Sequence, residues 1–315
     1  MKKCLVGTRA SRLAIAQTEI ALSGLKTATS LEFEVVRIST KGDTDRRPLF
    51  TIDEKGIFEK EVNEAVMSGQ VDFAVHSLKD IPSDLSDKLI VASIPKRASP
   101  NDVLVSKGNQ KLADLSRNSK VGTSSLRRAI QVTKLRPDLH VKPIRGNVET
   151  RISRTVDGEY DAAVLAEAGL TRLGMEDVIA ERFNVIEFLP APGQGALAFV
   201  CRRDNKGLIK MLKTAEDPLS KIEADAERAL VARLNSGCRF PVGAVAVCQR
   251  LQNPFMLYAS IFSSDGSKHI RVKKRGNPLC PNVAGTELAE LLIKKGAGIL
   301  AEEWRGAVNK WNNDV

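Results

Sequence analysis

Charged and polar side chains that could take part in a reaction cluster in residues 76–82, His-Ser-Leu-Lys-Asp-Ile-Pro. They follow the apolar run 71–75, which predicts a buried strand, so the polar groups would emerge together at its end. Lys79 beside Asp80 can supply one charge that binds an anion and one that stabilises a developing cation. Asp80 alone would also suit a tight turn. A hydrolase triad from the His, Ser and Asp of this segment is disfavoured, because they lie too close in sequence and no nucleophile elbow is present.

Cys238 is the second candidate for chemistry, within Asn-Ser-Gly-Cys-Arg-Phe-Pro-Val-Gly at 235–243. The flanking Gly and the Pro-x-Gly beyond it fit an exposed, rigid loop, and Arg239 can favour the nucleophilic thiolate. The chain has five cysteines and no Cys-x-x-Cys pair, which argues against a disulfide scaffold and a zinc ribbon. The three histidines lie far apart and show no metal-ligand spacing, so no metal site is predicted.

Four segments combine small or hydroxyl residues with arginine at predicted strand-to-helix junctions: 7–11, 122–128, 145–151 and 169–172. Backbone N–H groups at a helix N-terminus favour an anion, and arginine adds a two-pronged clamp for carboxylate or phosphate. In any single segment the hydroxyls can be N-caps and the arginines solvated. Four such segments at the carboxyl ends of strands, where open α/β sheets bind ligands, favour a ligand with several negative charges.

The overall charge agrees with an anionic ligand. Lys and Arg number 48 against 38 Asp and Glu, a formal net charge of +10, although a basic and well-solvated surface would explain the excess equally well. No phosphate-binding P-loop motif is present. The stretch Gly193–Ala198 loosely resembles a dinucleotide fingerprint, but two prolines precede it and a strand-like run follows where a helix should begin, so that interpretation is rejected.

Alternating strand and helix patterns over the first two-thirds predict an α/β architecture with mostly parallel sheets. A helical stripe is predicted at 56–68. The predicted strands are 31–40, 71–75, 89–94, 102–105, 161–166 and 185–188. Val-Gly-Thr at 6–8, with Arg and Ala at fixed distances beyond it, recurs at 121–123, which supports two similarly built units.

The last third changes character. Asp217-Pro218 provides an N-cap and a first-turn proline for a helix over 219–234. Alternating patterns at 242–248, 255–262 and 268–274 then predict an antiparallel meander, and a helix-rich tail follows from Asn282. We therefore expect a small α+β domain that begins near residue 216.

Taken together, these segments resemble the porphobilinogen deaminase (hydroxymethylbilane synthase) family nearly end to end. The matching motifs lie at residues 7–14, 55–58, 76–82, 121–128, 145–151, 192–196 and 237–243. Seven motifs in family order are highly specific. The stretch between Lys41 and Lys55 and the positions of Arg239 and Phe240 follow no family pattern.

The resemblance implies two doubly wound, periplasmic-binding-protein-like α/β domains around a cleft, plus a smaller α+β C-terminal domain. The expected boundaries are 1–95 with 195–215, then 96–194, then 216–315. It also implies a dipyrromethane cofactor joined to Cys238 by a thioether. The implied reaction joins four porphobilinogen molecules head to tail, with loss of ammonia, into the linear tetrapyrrole hydroxymethylbilane of haem biosynthesis.

By the same resemblance Asp80 is the catalytic carboxylate, assisted by Lys79, and stabilises an azafulvene-like cation formed from the substrate. Besides Cys238, the implied cofactor-binding residues are Ser77, Lys79, Asp80, Thr123, Ser124, Ser125, Arg127, Arg128, Arg145 and Gly146. The implied substrate-binding residues are Arg9, Ser11, Arg145, Arg151, Arg172, Phe58 and Gln194. A six-ring chain carries about twelve carboxylates, and burying them requires paired cations.

Other function classes fit less well. A non-catalytic anion-binding protein of periplasmic-receptor type is the main alternative, but it predicts a signal peptide, and none is visible. A nucleic-acid-binding protein would need aromatic stacking platforms, whereas aromatic residues make up 4% of the chain. A cysteine hydrolase would need a histidine near Cys238. We therefore expect a cytoplasmic monomer that binds a small-molecule substrate and neither nucleic acid nor membrane.

Overall fold

The computed structural model describes residues 3–29, 31–41, 59–234, 241–263, 266–300 and 303–304. Two five-stranded mixed sheets and one three-stranded antiparallel sheet organise this part of the chain. The first sheet has the order β2-β1-β3-β10-β4. Its strands are β1 (Cys4–Arg9), β2 (Phe33–Ile38), β3 (Phe73–Ser77), β4 (Leu89–Ser93) and β10 (Leu197–Arg202).

The second sheet has the order β7-β6-β8-β5-β9, which repeats the arrangement of the first. Its strands are β5 (Asp102–Ser106), β6 (Lys120–Gly122), β7 (His140–Lys142), β8 (Ala162–Ala166) and β9 (Glu181–Arg182). The matching strand orders confirm the predicted fold class of two similarly built α/β units.

One strand in each large sheet runs against the other four. β10 is antiparallel to both of its neighbours in the first sheet, and β5 is antiparallel to both of its neighbours in the second. Each reversed strand comes directly after the chain has crossed from one unit to the other. The prediction of mostly parallel sheets is therefore confirmed. The sequence pattern did not predict the one reversed strand in each sheet.

Helices cover both faces of each large sheet. In the first unit, α1 (Arg12–Ala28) and α6 (Lys206–Leu212) pack on one face and α2 (Lys60–Ser68) on the other. In the second unit, α3 (Leu126–Leu135) packs opposite α4 (Val148–Val156) and α5 (Glu167–Leu173). Both units bury largely aliphatic cores between these layers.

The third unit packs two helices on one face of an antiparallel sheet. Its elements are α7 (Pro218–Leu234), β11 (Val242–Val247), β12 (Phe255–Phe262), β13 (His269–Gly276) and α8 (Pro281–Lys294). The predicted helix, meander and C-terminal helix are all confirmed. Within the part of the chain that the structure describes, no helix is long and apolar enough to cross a membrane.

Two sequence-based predictions are wrong. Residues 185–188 do not form a strand, because the Asn184 side chain accepts the N–H groups of Ile186 and Glu187 and closes a turn. Phe188 is still buried, stacked on Phe183 with ring centroids 4.5 Å apart, which explains the apolar pattern. The segment 169–172 does not begin a helix either, because α5 already starts at Glu167 and Arg172 lies in its last turn.

Candidate active site

The turn that follows β3 carries Lys79 and Asp80. It is a single 3-10 turn, Leu78–Asp80, held to the start of β10 by a hydrogen bond from the Leu78 N–H to the Ala196 carbonyl at 3.0 Å. Gly193 approaches this turn so closely that an added Cβ would lie 3.1 Å from the Lys79 nitrogen, at a φ of +76°. The glycines at 193–195 therefore serve close backbone approach rather than nucleotide binding.

Gln194 connects this turn to the second unit. Its side-chain oxygen accepts from Lys79 Nζ at 3.3 Å and from Arg128 Nη2 at 3.4 Å. Its side-chain nitrogen donates to Asp102 Oδ1 at 2.9 Å and to the Pro100 carbonyl at 2.7 Å. The buried amide uses both its donor and acceptor capacity and so fixes Lys79 relative to the second sheet.

Asp102 is a fully buried carboxylate at the start of β5. Arg127 Nη1 lies 2.7 Å from its Oδ2, and Arg128 Nε donates to its Oδ1 at 2.9 Å. Burial alone would raise the carboxyl pKa, but the two guanidinium charges outweigh it and lower the pKa of Asp102 to about 2. Both arginines begin α3 and are themselves buried. Arg127 also donates to the Leu189 carbonyl at 2.6 Å, so its guanidinium is held on the protein.

Lys79 lies in an unusual electrostatic environment. Its side chain is exposed, and its Nζ lies 3.3 Å from Gln194 Oε1. Desolvation and the Arg128 charge lower its pKa to about 8, and Asp80 and Asp102 oppose that shift. An ammonium held near such a pKa gains from any anion that binds beside it.

Arg151 and Arg172 extend this positive region. The pKa of Arg151 is lowered to about 10 by burial and by the charges of Arg128 and Arg145. Burial lowers the pKa of Arg172 to about 10 as well. Their hydrogen bonds run to backbone carbonyls, from Arg151 Nε to Gly146 and from Arg172 Nη2 to Gly195. Within the described residues neither guanidinium pairs with a carboxylate, which favours an anionic ligand.

The hydroxyl residues mostly support the backbone. Ser11 caps α1 by accepting from the Ala14 N–H, and Ser125 caps α3 by accepting from the Arg128 N–H. Thr123 accepts from the Ser125 N–H, and Ser124 donates to the Ile144 carbonyl at 2.6 Å. N-capping, the structural alternative weighed for these segments, therefore holds at both helix starts.

The remaining predicted residues flank the same region. Ser77 ends β3 opposite Leu197, and Arg9 ends β1. Arg145 and Gly146 precede α4, and Gly146 has a φ of +109° that favours glycine. Two predicted residues, Cys238 and Phe58, lie outside the described residues.

His76 lies at the end of β3, one turn before Lys79. It is buried, with Nε2 3.1 Å from Asn63 Oδ1 on α2. Burial and the Arg9 charge lower its pKa to about 4, so the ring is neutral near pH 7. This imidazole is a structural link between β3 and α2.

A buried ion pair joins the third unit to this site, and sequence reasoning missed it. Glu227 on α7 accepts from Arg97 Nη1 at 2.7 Å and from the Gly193 N–H at 2.5 Å. Arg97 Nε donates to the Gln194 carbonyl at 2.9 Å. Glu223 contacts Arg97 as well, at 3.2 Å. The sequence did contain a signal for this pair: Glu223 and Glu227 lie four residues apart on the apolar face of a predicted helix, where buried glutamates need a cationic partner.

Among the described residues, no group of three or more His, Cys, Asp or Glu side chains is placed to hold a metal ion. The region contains instead a lysine, a carboxylate and several arginines at the junction of the first two units. Such a set can bind a multiply charged anion and place one acidic side chain against it.

Comparison with known proteins identifies families for both parts of the chain. Residues 4–210 match the family described as porphobilinogen deaminase, dipyromethane cofactor binding domain, and residues 221–294 match the porphobilinogen deaminase C-terminal domain. A probable porphobilinogen deaminase of Nitrosopumilus maritimus is 50% identical over 311 residues, 98% of this chain and 99% of the relative. The porphobilinogen deaminase of Brevibacillus brevis is 40% identical over 308 residues, 97% and 99% of the two chains.

Among solved structures, the methionine-binding protein MetQ matches 68% of this chain and 89% of its own, with a TM-score of 0.44 and 16% identity. Likeness at this level says nothing about what the present chain binds.

Proposed function

The chain belongs to the porphobilinogen deaminase family of transferases that bind dipyrromethane, and from that premise we propose that it condenses four porphobilinogen molecules into hydroxymethylbilane. Each condensation would release one ammonia, and one water would cleave the finished tetrapyrrole from the dipyrromethane and supply its hydroxyl group. The observation that carries the proposal is the Lys79–Asp80 turn, fixed by Gln194 close to Arg151 and Arg172, which among the described residues hydrogen-bond backbone carbonyls rather than carboxylates.

The residues present fit a dipyrromethane. Its two pyrrole rings bear four carboxylates. Lys79 and Arg128 would pair with carboxylates of the dipyrromethane, and Arg151 and Arg172 extend the same positive region for carboxylates of the substrate. The lowered pKa values of Lys79, Arg151 and Arg172 record positive charge that an anionic group would stabilise. When bound, the dipyrromethane supplies a free pyrrole α-carbon to which the first substrate unit is joined.

Asp80 is proposed to stabilise positive charge on the substrate. Loss of the aminomethyl nitrogen leaves a cationic pyrrole, and a carboxylate near the ring N–H lowers the energy of that species. The turn holds Asp80 beside Lys79, whose ammonium would bind a substrate or cofactor carboxylate. The buried Asp102 is committed to Arg127 and Arg128 and is not available for this role.

Cys238 is proposed as the attachment point through a thioether. It follows the last residue of α7 by four positions. Glu227 fixes α7 to Arg97 and to the backbone of Gly193, in the two segments where the chain crosses between the first and second units. A fixed helix just before the anchor would keep the tethered oligomer in register with Asp80.

Intact-mass measurement tests this proposal directly. We expect purified protein to exceed the sequence mass by one dipyrromethane, and Cys238→Ser to lack that increment. The wild-type protein should also release ammonia from porphobilinogen. The control variant Cys280→Ser, a change at an exposed cysteine, should keep both the mass increment and the ammonia release. An active preparation with unmodified Cys238 would exclude the proposed attachment.

A further inference from the structure

An open crevice of about 340 Å³ lies between α1 of the first unit and α5 of the second. On the α1 side it is lined by Arg12, Ile15, Ala16 and Glu19, which follow the i, i+3, i+4, i+7 spacing of one helix face. On the α5 side it is lined by Arg172 and Leu173. The volume is at the small end of ligand pockets and suits a single-ring molecule rather than an oligomer.

The crevice carries two guanidinium groups and one carboxylate. Arg12 is 71% exposed and pairs with Glu149 at 3.5 Å, a surface ion pair that contributes little and leaves the guanidinium open to a ligand. Arg172 is partly buried, and its Nη2 donates to the Gly195 carbonyl at 2.6 Å. Glu19 is exposed on the same stripe of α1 as Arg12.

Apolar side chains separate these charges. Ile15 and Ala16 line the α1 wall between Arg12 and Glu19, and Leu173 lines the opposite wall. A flat ring can therefore lie against carbon while its substituents reach charged groups on both sides.

We propose that this crevice is a holding site for a monopyrrole amino-dicarboxylic acid, the chemical class of the incoming substrate. Its two carboxylates would contact Arg12 and Arg172, its aminomethyl ammonium would face Glu19, and its ring would lie on Ile15 and Leu173. The proposal rests on the proposed function for the identity of that substrate. Arg172 lines the crevice and also belongs to the positive region around Lys79. A molecule held in the crevice would therefore lie next to the proposed reaction site.

The test compares charge-neutralised variants of the holoenzyme with matched controls. Arg12→Gln removes a carboxylate-binding group and Glu19→Gln removes the ammonium-binding group. Lys26→Gln, in the last turn of α1, and Glu34→Gln, exposed on β2, remove the same charges far from the crevice. Steady-state kinetics with porphobilinogen are measured at low and high salt. Inhibition is also measured with an analogue whose aminomethyl group is replaced by methyl.

We expect Arg12→Gln to lower kcat/KM by about twofold to fivefold at low salt, with a smaller effect at high salt and kcat changed by less than about twofold. Glu19→Gln should lower kcat/KM for porphobilinogen by a similar factor and leave inhibition by the methyl analogue undiminished. Arg12→Gln should weaken that inhibition. This pattern would separate recognition of carboxylate from recognition of ammonium.

The holding site is excluded if both variants match Lys26→Gln and Glu34→Gln, or if Glu19→Gln weakens both ligands equally. A loss confined to kcat would also overturn it, because Arg12 would then act in the reaction rather than in capture. The proposed function fails separately, when wild-type protein releases no ammonia from porphobilinogen. An active wild type with silent crevice variants removes only the holding site.

Discussion

The ends of β3 and β8 occupy equivalent positions in two sheets of the same strand order. Val6 and Gly7 pair with Phe73 and Ala74 in the first sheet, as 121–122 pair with 162–163 in the second. An aspartate just before each strand accepts a backbone N–H of the neighbouring strand: Asp72 from Leu5, Asp161 from Lys120. The scaffold is therefore repeated down to single hydrogen bonds.

The side chains on this repeated scaffold differ in kind. When the two sheets are aligned by their paired residues, His76 is equivalent to Leu165, Lys79 to Ala168 and Asp80 to Gly169. The second unit instead keeps its charges on α3, where Arg127 and Arg128 are fixed on buried Asp102. The second unit therefore provides a rigid basic wall, and the first provides the Lys79–Asp80 turn that we propose takes part in the reaction.

The largest effect should come from removing the carboxylate of the first unit. Asp80→Asn keeps the shape of the side chain but loses its charge, so kcat should fall by about 10²–10⁴-fold. The cofactor mass should remain, and the free energy of unfolding should change by less than about 1 kcal/mol because the residue is only partly buried. Asp87→Asn, at an exposed position before the start of β4, is the control and should retain wild-type turnover.

Asp80→Asn with normal turnover would assign the reacting carboxylate elsewhere and remove the functional difference between the two units. Loss of the cofactor mass in this variant would instead make Asp80 a loading residue.

Removing the buried carboxylate of the second unit should act on stability instead. Asp102→Asn leaves the Arg127 and Arg128 charges buried without their counter-ion, at a cost of about 3–5 kcal/mol. Urea unfolding measures this as a lower midpoint. Asp225→Asn, which breaks the partly exposed pair with Lys221, should cost less than about 1 kcal/mol. Equal losses of unfolding free energy in the two variants would show that Asp102 does not stabilise a buried network of charges.

The third effect concerns His76, which has an aliphatic counterpart in the second unit. Its folded pKa of about 4 lies below the unfolded value near 6.5, so the unfolded state binds the proton more tightly between these values. Stability from the neutral ring is present above pH 6.5 and is lost as pH falls through 4, by about 3 kcal/mol in total.

His76→Gln, which cannot titrate, should therefore flatten the decline of unfolding free energy between pH 6.5 and 4. His140→Gln, at an exposed position on β7, should keep the wild-type slope. An unchanged slope in His76→Gln would show that folding does not lower the pKa of this ring.

Sequence patterns predicted the architecture better than the contacts within it. Apolar periodicity and turn chemistry were enough for the two α/β units and the third unit, since both depend on local spacing. The role of Asp102 was not predictable, because it depends on Arg127 and Gln194, which lie 25 and 92 residues away along the chain. The Glu227–Arg97 pair spans 130 residues and was missed for the same reason.

The four arginine segments show where a correct pattern can carry two meanings. Three of them precede helices as predicted, with Ser11, Ser125 and Asn147 as N-caps. The fourth lies inside α5, yet Arg172 still reaches the junction through the end of that helix. Sequence spacing places a residue on an element, but the direction of its side chain depends on how the units pack.

The smallest effect should appear in the pH dependence of substrate binding. The pKa of Lys79 is about 8, so its ammonium is largely present at pH 7 and largely lost at pH 9. If only the charged form binds a carboxylate, KM should rise about tenfold between pH 7 and pH 9. Lys79→Arg keeps a positive charge over this range and should abolish that rise, while Lys88→Arg, at an exposed position before β4, should not. A rise that persists in Lys79→Arg would trace the titration to another group, and the first unit would then supply only its carboxylate to the site.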